Sequence, residues 1–349
     1  MTDKRFDITS YDYDFPEDLI AGHPPEKRGD SRLLTARVDT GEMKDGMFGG
    51  IAEYFRAGDV LVLNETKVVP SRFFGVKEGT GARIELLIIE YDPGKKEYLA
   101  LSRPAKRLKP GTVVKISDEF SAEVSSLNGE GKVTVKFNIG HERFLSLASK
   151  YGHIPLPPYI KRPDGPSDRT DYQTVYAKNE GSSAAPTAGL HFTGEILAKI
   201  ASRNVSVVKI TLHTGLGTFV PLNKEDIRDF RIHSEYYEAS GETLETVRSA
   251  KGKGRVFCAG TTTVRTLEHI AATGYAELKG RCGLYIYPGF DFKVADNMIT
   301  NFHLPRTSLL VMVSAFAGND LIKRMYAHAV KERYRLFSYG DATLLLKKS

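Results

Sequence analysis

The amino-acid sequence predicts an α/β main domain interrupted by a small inserted β-barrel. After about residue 150, strand-like and helix-like runs alternate, which implies a sheet with parallel character. Between about Ser71 and Ile139 the chain instead offers closely spaced β-branched segments divided by turn signals, the pattern of a small barrel or sandwich. Upstream of that insertion, D-V-L-V-L-N (Asp59–Asn64) reads as a buried strand. The expected division is 1–70 with 151–349 for the main domain and 71–150 for the insertion.

The barrel strands are expected at Arg83–Tyr91, Glu97–Ser102, Thr112–Ile116, Phe120–Val124 and Gly131–Phe137, with D-P-G-K, K-P-G and N-G-E-G at the turns. In the main domain, Thr193 is a suitable N-cap for a helix running to about Ser202, with Glu195 in its first turn. Val205–Leu212 reads as a strand, Glu242–Ala250 as a helix and Arg255–Ala259 as a short buried strand. G-T-T-T (Gly260–Thr263) then opens a helix, Leu284–Tyr287 reads as another strand, and the stretch from Thr307 is mostly helical until Ala342–Leu346.

A chain of 349 residues, 41% hydrophobic, can bury a full core. No apolar run approaches the length that spans a bilayer, and no hydrophobic segment follows the N-terminal charges. Cys258 and Cys282 are the only cysteines, which argues against a disulfide framework or a cysteine-rich zinc site and for a cytoplasmic home. The net charge of +6 permits an anionic partner without demanding one. Its placement says more. Arg103, Lys106, Arg107 and Lys109 crowd one Pro/Gly-punctuated loop, and Lys161 and Arg162 follow the proline-rich His153–Ile160, where Tyr159 could stack on a base. Such loops suit phosphate contacts, although solvated loops have the same composition.

Two segments concentrate small, polar and titratable residues: A-A-P-T-A-G-L-H-F-T (Ala184–Thr193) and T-L-H-T-G-L-G-T-F (Thr211–Phe219). Glycine admits a ligand close to the backbone, while Thr and His supply donors, acceptors and a group that titrates near neutrality. Both loops are expected at the carboxyl ends of strands, where α/β sheets bind ligands. Strand–G-T-T-T–helix places Thr261 and Thr262 at a helix N-terminus suited to a phosphate, a carboxylate or an amino-acid head group, though a threonine N-cap looks the same. His191, His213 and His303 lie in loops without metal-pair spacing, which fits acid–base or hydrogen-bonding roles better than a metal site. No nucleophile elbow, P-loop lysine or G-x-G-x-x-G is present. Asn64-Glu65-Thr66 reads as a strand-end turn whose carboxylate a ligand could reach, and Ser338–Asp341 as a turn near the C-terminus with the same functional alternative.

Together with H-P-P-E-K-R-G-D-S-R-L-L (His23–Leu34), L-V-L-N-E-T-K-V-V-P-S-R (Leu61–Arg72), H-S-E-Y-Y (His233–Tyr237), T-N-F-H-L-P (Thr300–Pro305) and F-S-Y-G-D-A (Phe337–Ala342), these segments resemble, in order and over nearly the whole chain, the S-adenosylmethionine:tRNA ribosyltransferase-isomerases of queuosine biosynthesis. Glu65 stands where that family usually has Asp, and Thr263 where it commonly has Ser; both keep the functional group.

The resemblance implies that the ribosyl moiety of S-adenosylmethionine is transferred and isomerised onto 7-aminomethyl-7-deazaguanine at the tRNA wobble position, giving epoxyqueuosine tRNA, adenine and methionine. S-adenosylmethionine is then a consumed co-substrate, with no resident cofactor or metal and a monomeric enzyme. From their loop context, His191, His213 and Thr187 are the expected catalytic residues, with one of the two histidines as the general base. Gly189, Gly215, Gly217, Thr218, Thr261, Thr262, Arg265, Asn301, His303 and Glu65 are expected to bind substrate, and Arg103, Lys106, Arg107, Lys109, Lys161 and Arg162 to bind tRNA. Two rivals remain: a non-catalytic RNA-binding module, which has no need of paired His/Gly loops, and a methyltransferase, which would carry a glycine-rich turn after its first strand.

Overall fold

Every residue from Val60 to Asn64 is buried, because the strand they form lies in the middle of a sheet covered on both faces. The computed structural model describes residues 3–215 and 221–347. Its first strands are β1 (Arg32–Arg37), β2 (Met43–Met47), β3 (Val60–Asn64) and β4 (Thr66–Val68). The insertion follows with β5 (Arg72–Lys77), β6 (Arg83–Asp92), β7 (Glu97–Arg103), β8 (Val113–Lys115), β9 (Ser121–Leu127), β10 (Lys132–Phe137) and α1 (His141–Tyr151). The main domain resumes with α2 (Asp168–Asp171), β11 (Asn179–Ser182), α3 (Gly194–Ala201), β12 (Ser206–Leu212), β13 (Glu235–Ala239), α4 (Gly241–Ala250), β14 (Val256–Ala259) and α5 (Thr261–Ala272). It closes with β15 (Lys279–Cys282), β16 (Asn297–Asn301), α6 (Ser308–Ala317), α7 (Asn319–Lys331) and β17 (Ala342–Leu346).

The main sheet has nine strands in the order β15-β13-β12-β3-β14-β16-β17-β1-β2. Its centre, β12-β3-β14-β16, is parallel throughout. β17 runs antiparallel to β16, and β1 runs parallel to β17. Alternate residues of each central strand enter opposite cores, as a two-unit side-chain period requires. Val60, Val62, Val256 and Cys258 pack with Leu244, Val264, Leu267 and Val311 from α4, α5 and α6. Leu61, Leu63 and Phe257 pack with Phe48, Ile51, Ile196 and Ile200 on the other face. A buried ion pair, Arg255–Asp59 at 2.6 Å, fixes the starting ends of β3 and β14.

The insertion is a closed six-stranded barrel, β10-β7-β6-β5-β8-β9, so the expected α/β domain with an inserted barrel is the fold observed. Phe73, Phe120, Phe137 and Tyr98 fill its interior, and Phe144 of α1 plugs one end at 4.5 Å from the Tyr98 ring. Entry and exit are paired: the Arg72 amide donates to the His153 carbonyl at 3.2 Å and the His153 amide returns to Arg72 at 2.8 Å.

The Thr193 hydroxyl caps α3 through the Ile196 amide at 3.1 Å, as its position before the helix predicts. One expected strand is corrected. Leu284–Tyr287 is irregular, and the nearby strand is β15, antiparallel to β13. The physical reason is Arg265, whose Nε takes the Leu284 carbonyl at 2.8 Å out of any ladder.

Candidate active site

Parallel pairing decides which loops meet. The four central strands end on one edge, which sets His213–Thr214, Asn64–Thr66, Gly260–Thr262 and Asn301–His303 side by side. Because β17 and β1 start on that edge, Ser338–Asp341 and Ser31 join them. Asn64 stitches three of these loops. Its Oδ1 accepts from the amides of Thr66 (3.1 Å) and Leu212 (3.0 Å), and its Nδ2 donates to the Leu212 carbonyl (3.1 Å) and to Thr262 Oγ1 (3.4 Å). Asp341 accepts from the amides of Arg32 and Arg335, each at 2.8 Å. The Ala184–Thr193 segment crosses the same edge, anchored where the Ser183 and Ala184 amides donate to the Thr214 carbonyl at 3.1 Å.

Two adjoining cavities open there, sharing Thr187, His303 and Leu309 as a common wall. One adds Tyr159, Asn301, Phe302, Phe337 and Ser338. The other adds Thr214, Gly260, Thr261, Thr262 and Thr300. Gly260 adopts φ +95° before α5, a conformation that favours glycine, and the helix has no side-chain cap. Largely neutral, part-aromatic concavities with a few convergent polar groups suit a small organic ligand.

The three histidines of the sequence reading separate here. His303 lines both cavities; its Nε2 lies 2.9 Å from Thr300 Oγ1, and burial lowers its pKa to about 3. His191 lies behind the wall. Its Nδ1 is 2.7 Å from Ser31 Oγ and its Nε2 is 3.1 Å from Asn301 Nδ2. Burial lowers its pKa to about 4 against the opposing Asn301 contact, helped by the Arg28 and Arg335 charges. His213 meets Thr66 Oγ1 through Nδ1 at 2.8 Å and stacks on Tyr236 with ring centroids 5.6 Å apart; burial lowers its pKa also. Neither His191 nor His213 is on a cavity wall.

Of the remaining candidates, Thr187, Thr261, Thr262 and Asn301 line the cavities, whereas Gly189, Gly215, Glu65 and Arg265 do not. Gly189 answers to packing, since a Cβ there would fall 2.3 Å from the Tyr176 hydroxyl. The Gly215 amide donates to Glu235 Oε1 at 2.8 Å. Glu65 faces Asn179 Nδ2 at 3.3 Å and the Lys209 amine at 3.7 Å. Arg265 is spent within the fold: it pairs with Glu235 at 2.5 Å and donates to the carbonyls of His233, Cys282 and Leu284. Gly217 and Thr218 lie outside the described residues.

The basic candidates divide as well. Arg103, Lys106, Arg107 and Lys109 are exposed on the barrel. Lys161 is exposed and pairs with Glu17 at 3.0 Å. Arg162 is instead bidentate to buried Asp168, at 2.7 and 2.8 Å, and its Nε donates to the Gly22 carbonyl. Burial pushes the Asp168 carboxyl up, but Arg162, the Gly165 amide and the Tyr339 hydroxyl outweigh it and hold the pKa at about 2. The barrel leans on the sheet edge through Ile89, 4.0 Å from a Cβ placed on Gly215, and through Arg281 NH2–Glu90 Oε2 at 3.2 Å.

Sequence reasoning missed Thr214, Thr300, Phe337 and Ser31. Thr214 sits inside the T-L-H-T-G segment, where the histidine drew attention from it. The others lie at the ends of strands whose pairing no local pattern states. Among the described residues, no three His, Cys, Asp or Glu side chains group to hold a metal ion, and no helix is long and apolar enough to cross a membrane.

The family model of the queuosine biosynthesis proteins matches residues 8–345. The chain belongs to that family. Relatives from Staphylococcus aureus strains Newman and JH9, each named S-adenosylmethionine:tRNA ribosyltransferase-isomerase, are 45% identical over 345 residues, covering 97% of this chain and 99% of theirs. The crystal structure described as the S-adenosylmethionine tRNA ribosyltransferase of Thermotoga maritima is similar at 35% identity and a TM-score of 0.55, over 97% of this chain and 100% of that one. Several of the motifs that carry the family resemblance, among them L-H-T-G, G-T-T-T, T-N-F-H-L-P and F-S-Y-G-D-A, are loops gathered on the one sheet edge.

Proposed function

We propose that this protein is an S-adenosylmethionine:tRNA ribosyltransferase-isomerase, transferring and isomerising the donor's ribosyl moiety onto 7-aminomethyl-7-deazaguanine at the tRNA wobble position. Near full-length similarity to relatives of that name supports the reading, and the adjoining cavities on the sheet edge are where we place the donor. The sulfonium acidifies the donor's 5′-carbon, so a base can form an ylide that expels adenine. The deazaguanine amine attacks the opened sugar, and methionine leaves as the epoxide closes.

His303 and Thr187 share the junction of the cavities, where the ribose of a donor spanning both would lie. His303 is the histidine that lines both cavities, and burial keeps its imidazole neutral at pH 7 while weakening it as a base, so its place on the wall carries the assignment. We therefore give it the base's role and make His191, through Asn301, a positioning residue; His213 keeps a substrate-side role beside Thr66. The barrel loop Arg103–Lys109 faces tRNA phosphates, with Lys161 adding to that surface. The enzyme acts in the cytoplasm as a monomer, and no cofactor beyond the consumed donor enters the scheme.

One assay tests this. The protein is incubated with S-adenosylmethionine and precursor-bearing tRNA, and products are resolved by chromatography. Adenine and methionine are expected in equal amounts. S-adenosylhomocysteine with methylated RNA would instead indicate methyl transfer, and no small product would leave a binding module. His303→Gln should slow adenine release about 10²–10⁴-fold. A loss confined to His213→Ala would move the base to that ring.

A further inference from the structure

The cavity at the head of α5 carries an unused donor. The Thr214 side chain lines it and is only 4% exposed, yet its hydroxyl has no hydrogen-bond partner. A buried hydroxyl left unpaired is unfavourable, so such an atom in a cavity wall points to a ligand group that completes it. Beside it, Gly260 caps α5 without a side-chain bond, leaving the first-turn amides of Thr261 and Thr262 aimed at the same space. Deeper in the helix the hydroxyls turn back on the backbone, Thr263 donating to the Ala259 carbonyl at 2.7 Å and Thr266 to the Thr262 carbonyl at 2.9 Å.

All these groups donate. No Asp, Glu, Lys or Arg lines the cavity, and its one titratable residue, His303, is held neutral by burial. The positive end of the α5 dipole is thus the dominant local field, which favours a compact anion over a sulfonium. The adjoining cavity has the opposite character. Tyr159, Phe302 and Phe337 line it, and buried Asn301 Oδ1 is an acceptor without a partner. That combination suits a flat base with an exocyclic amine.

We infer that the donor is held in one orientation, with its methionyl carboxylate on the Thr214 hydroxyl and the Thr261 and Thr262 amides, and its adenine in the aromatic cavity. This rests on the donor reading above. It sets the ribose and sulfonium against the shared wall of Thr187 and His303, and it makes Thr214 a specificity residue for amino-acid-bearing donors. An RNA phosphate is the other anion such donors could meet, and the same experiment separates the two.

Calorimetric titration of the full chain compares S-adenosylmethionine with its decarboxylated form, which keeps adenosine, sulfonium and amine. The unaltered protein should bind the carboxylate-bearing ligand about tenfold or more tightly. Thr214→Val, which keeps shape and removes the hydroxyl, should weaken that ligand about tenfold, equivalent to about 1.4 kcal/mol. It should leave the decarboxylated ligand and tRNA unchanged, and Thr214→Ser should restore the preference. Equal weakening of both ligands, or no weakening, overturns the carboxylate assignment, and a selective loss of tRNA affinity assigns the site to phosphate. Should Thr214→Val lower the melting temperature, the Thr214→Ser result and the preference of the unaltered protein still decide. If the unaltered protein binds neither donor, it is the donor reading that fails.

Discussion

The loop at Arg103–Lys109 and the segment at Lys161–Arg162 look alike as sequence: cations beside proline, after an apolar run. In the folded chain they do opposite things. The four barrel cations are exposed, and none appears among the salt bridges of the described residues. Arg162 is folded inward onto Asp168, whose side chain is 1% exposed. Charge in a sequence states a sign; whether that charge is offered to a partner or consumed inside depends on where a distant carboxylate lands. Arg162 thus belongs to the architecture that carries the Tyr159 segment to the cavity, while the barrel loop can give up its charges without touching a core.

The contrast can be broken most directly at Asp168. Asp168→Ala strands a half-buried guanidinium and should cost about 3–5 kcal/mol of stability, read as a lower urea midpoint; an unshifted midpoint would make Arg162 as free as the barrel loop.

Acid sharpens the same division. His191 is held at about pKa 4 against an ordinary 6.5, so the unfolded chain takes the proton first and stability falls as the pH drops from about 6.5 towards 4. The loss from this residue alone is on the order of 3 kcal/mol. Asp168 stays ionised to about pH 2, so its pair should survive that window. A protein whose stability is flat between pH 7 and 4 would show that His191 is not buried neutral.

Replacing Arg103, Lys106, Arg107 and Lys109 with Ala should leave the melting temperature unchanged. It should also reduce the slope of log affinity for tRNA against log salt by roughly 3, at about 0.7 per contact; an unaltered slope moves the RNA surface off the barrel. The smallest effect is expected for Lys161→Ala. Its pair with Glu17 is exposed on both sides, so less than about 1 kcal/mol of stability is at stake, and the salt slope should change by less than one contact's worth.

Much of the fold was legible where local pattern and tertiary demand agree. The apolar run of β3, the Thr193 cap and the barrel turns all announce themselves. β16 did not, because N-M-I-T-N ends in asparagines: Asn297 accepts from the Lys347 amide at 3.0 Å, and Asn301 faces the site. β5 hid behind Gly75, which is needed there because a Cβ would fall 2.7 Å from the Lys115 carbonyl of β8. Leu284–Tyr287 alternates like a strand, yet Arg265, distant in sequence, claims its carbonyl. The position of the site at the strand ends could be read. Which histidine faces the cavity could not, because His191 is held behind the wall by Ser31 and Asn301, both distant from it in sequence.

The paired neck of the barrel, Arg72 against His153, bears on the order in which the molecule assembles. Every strand partner inside the barrel comes from one continuous stretch of chain, so its loops close early. β3 is synthesised before the barrel but pairs with β12 and β14, which emerge long after it. During translation the insertion can therefore reach its final form while its host is still open. The apolar Val60–Leu63 must then be kept soluble until both neighbours arrive.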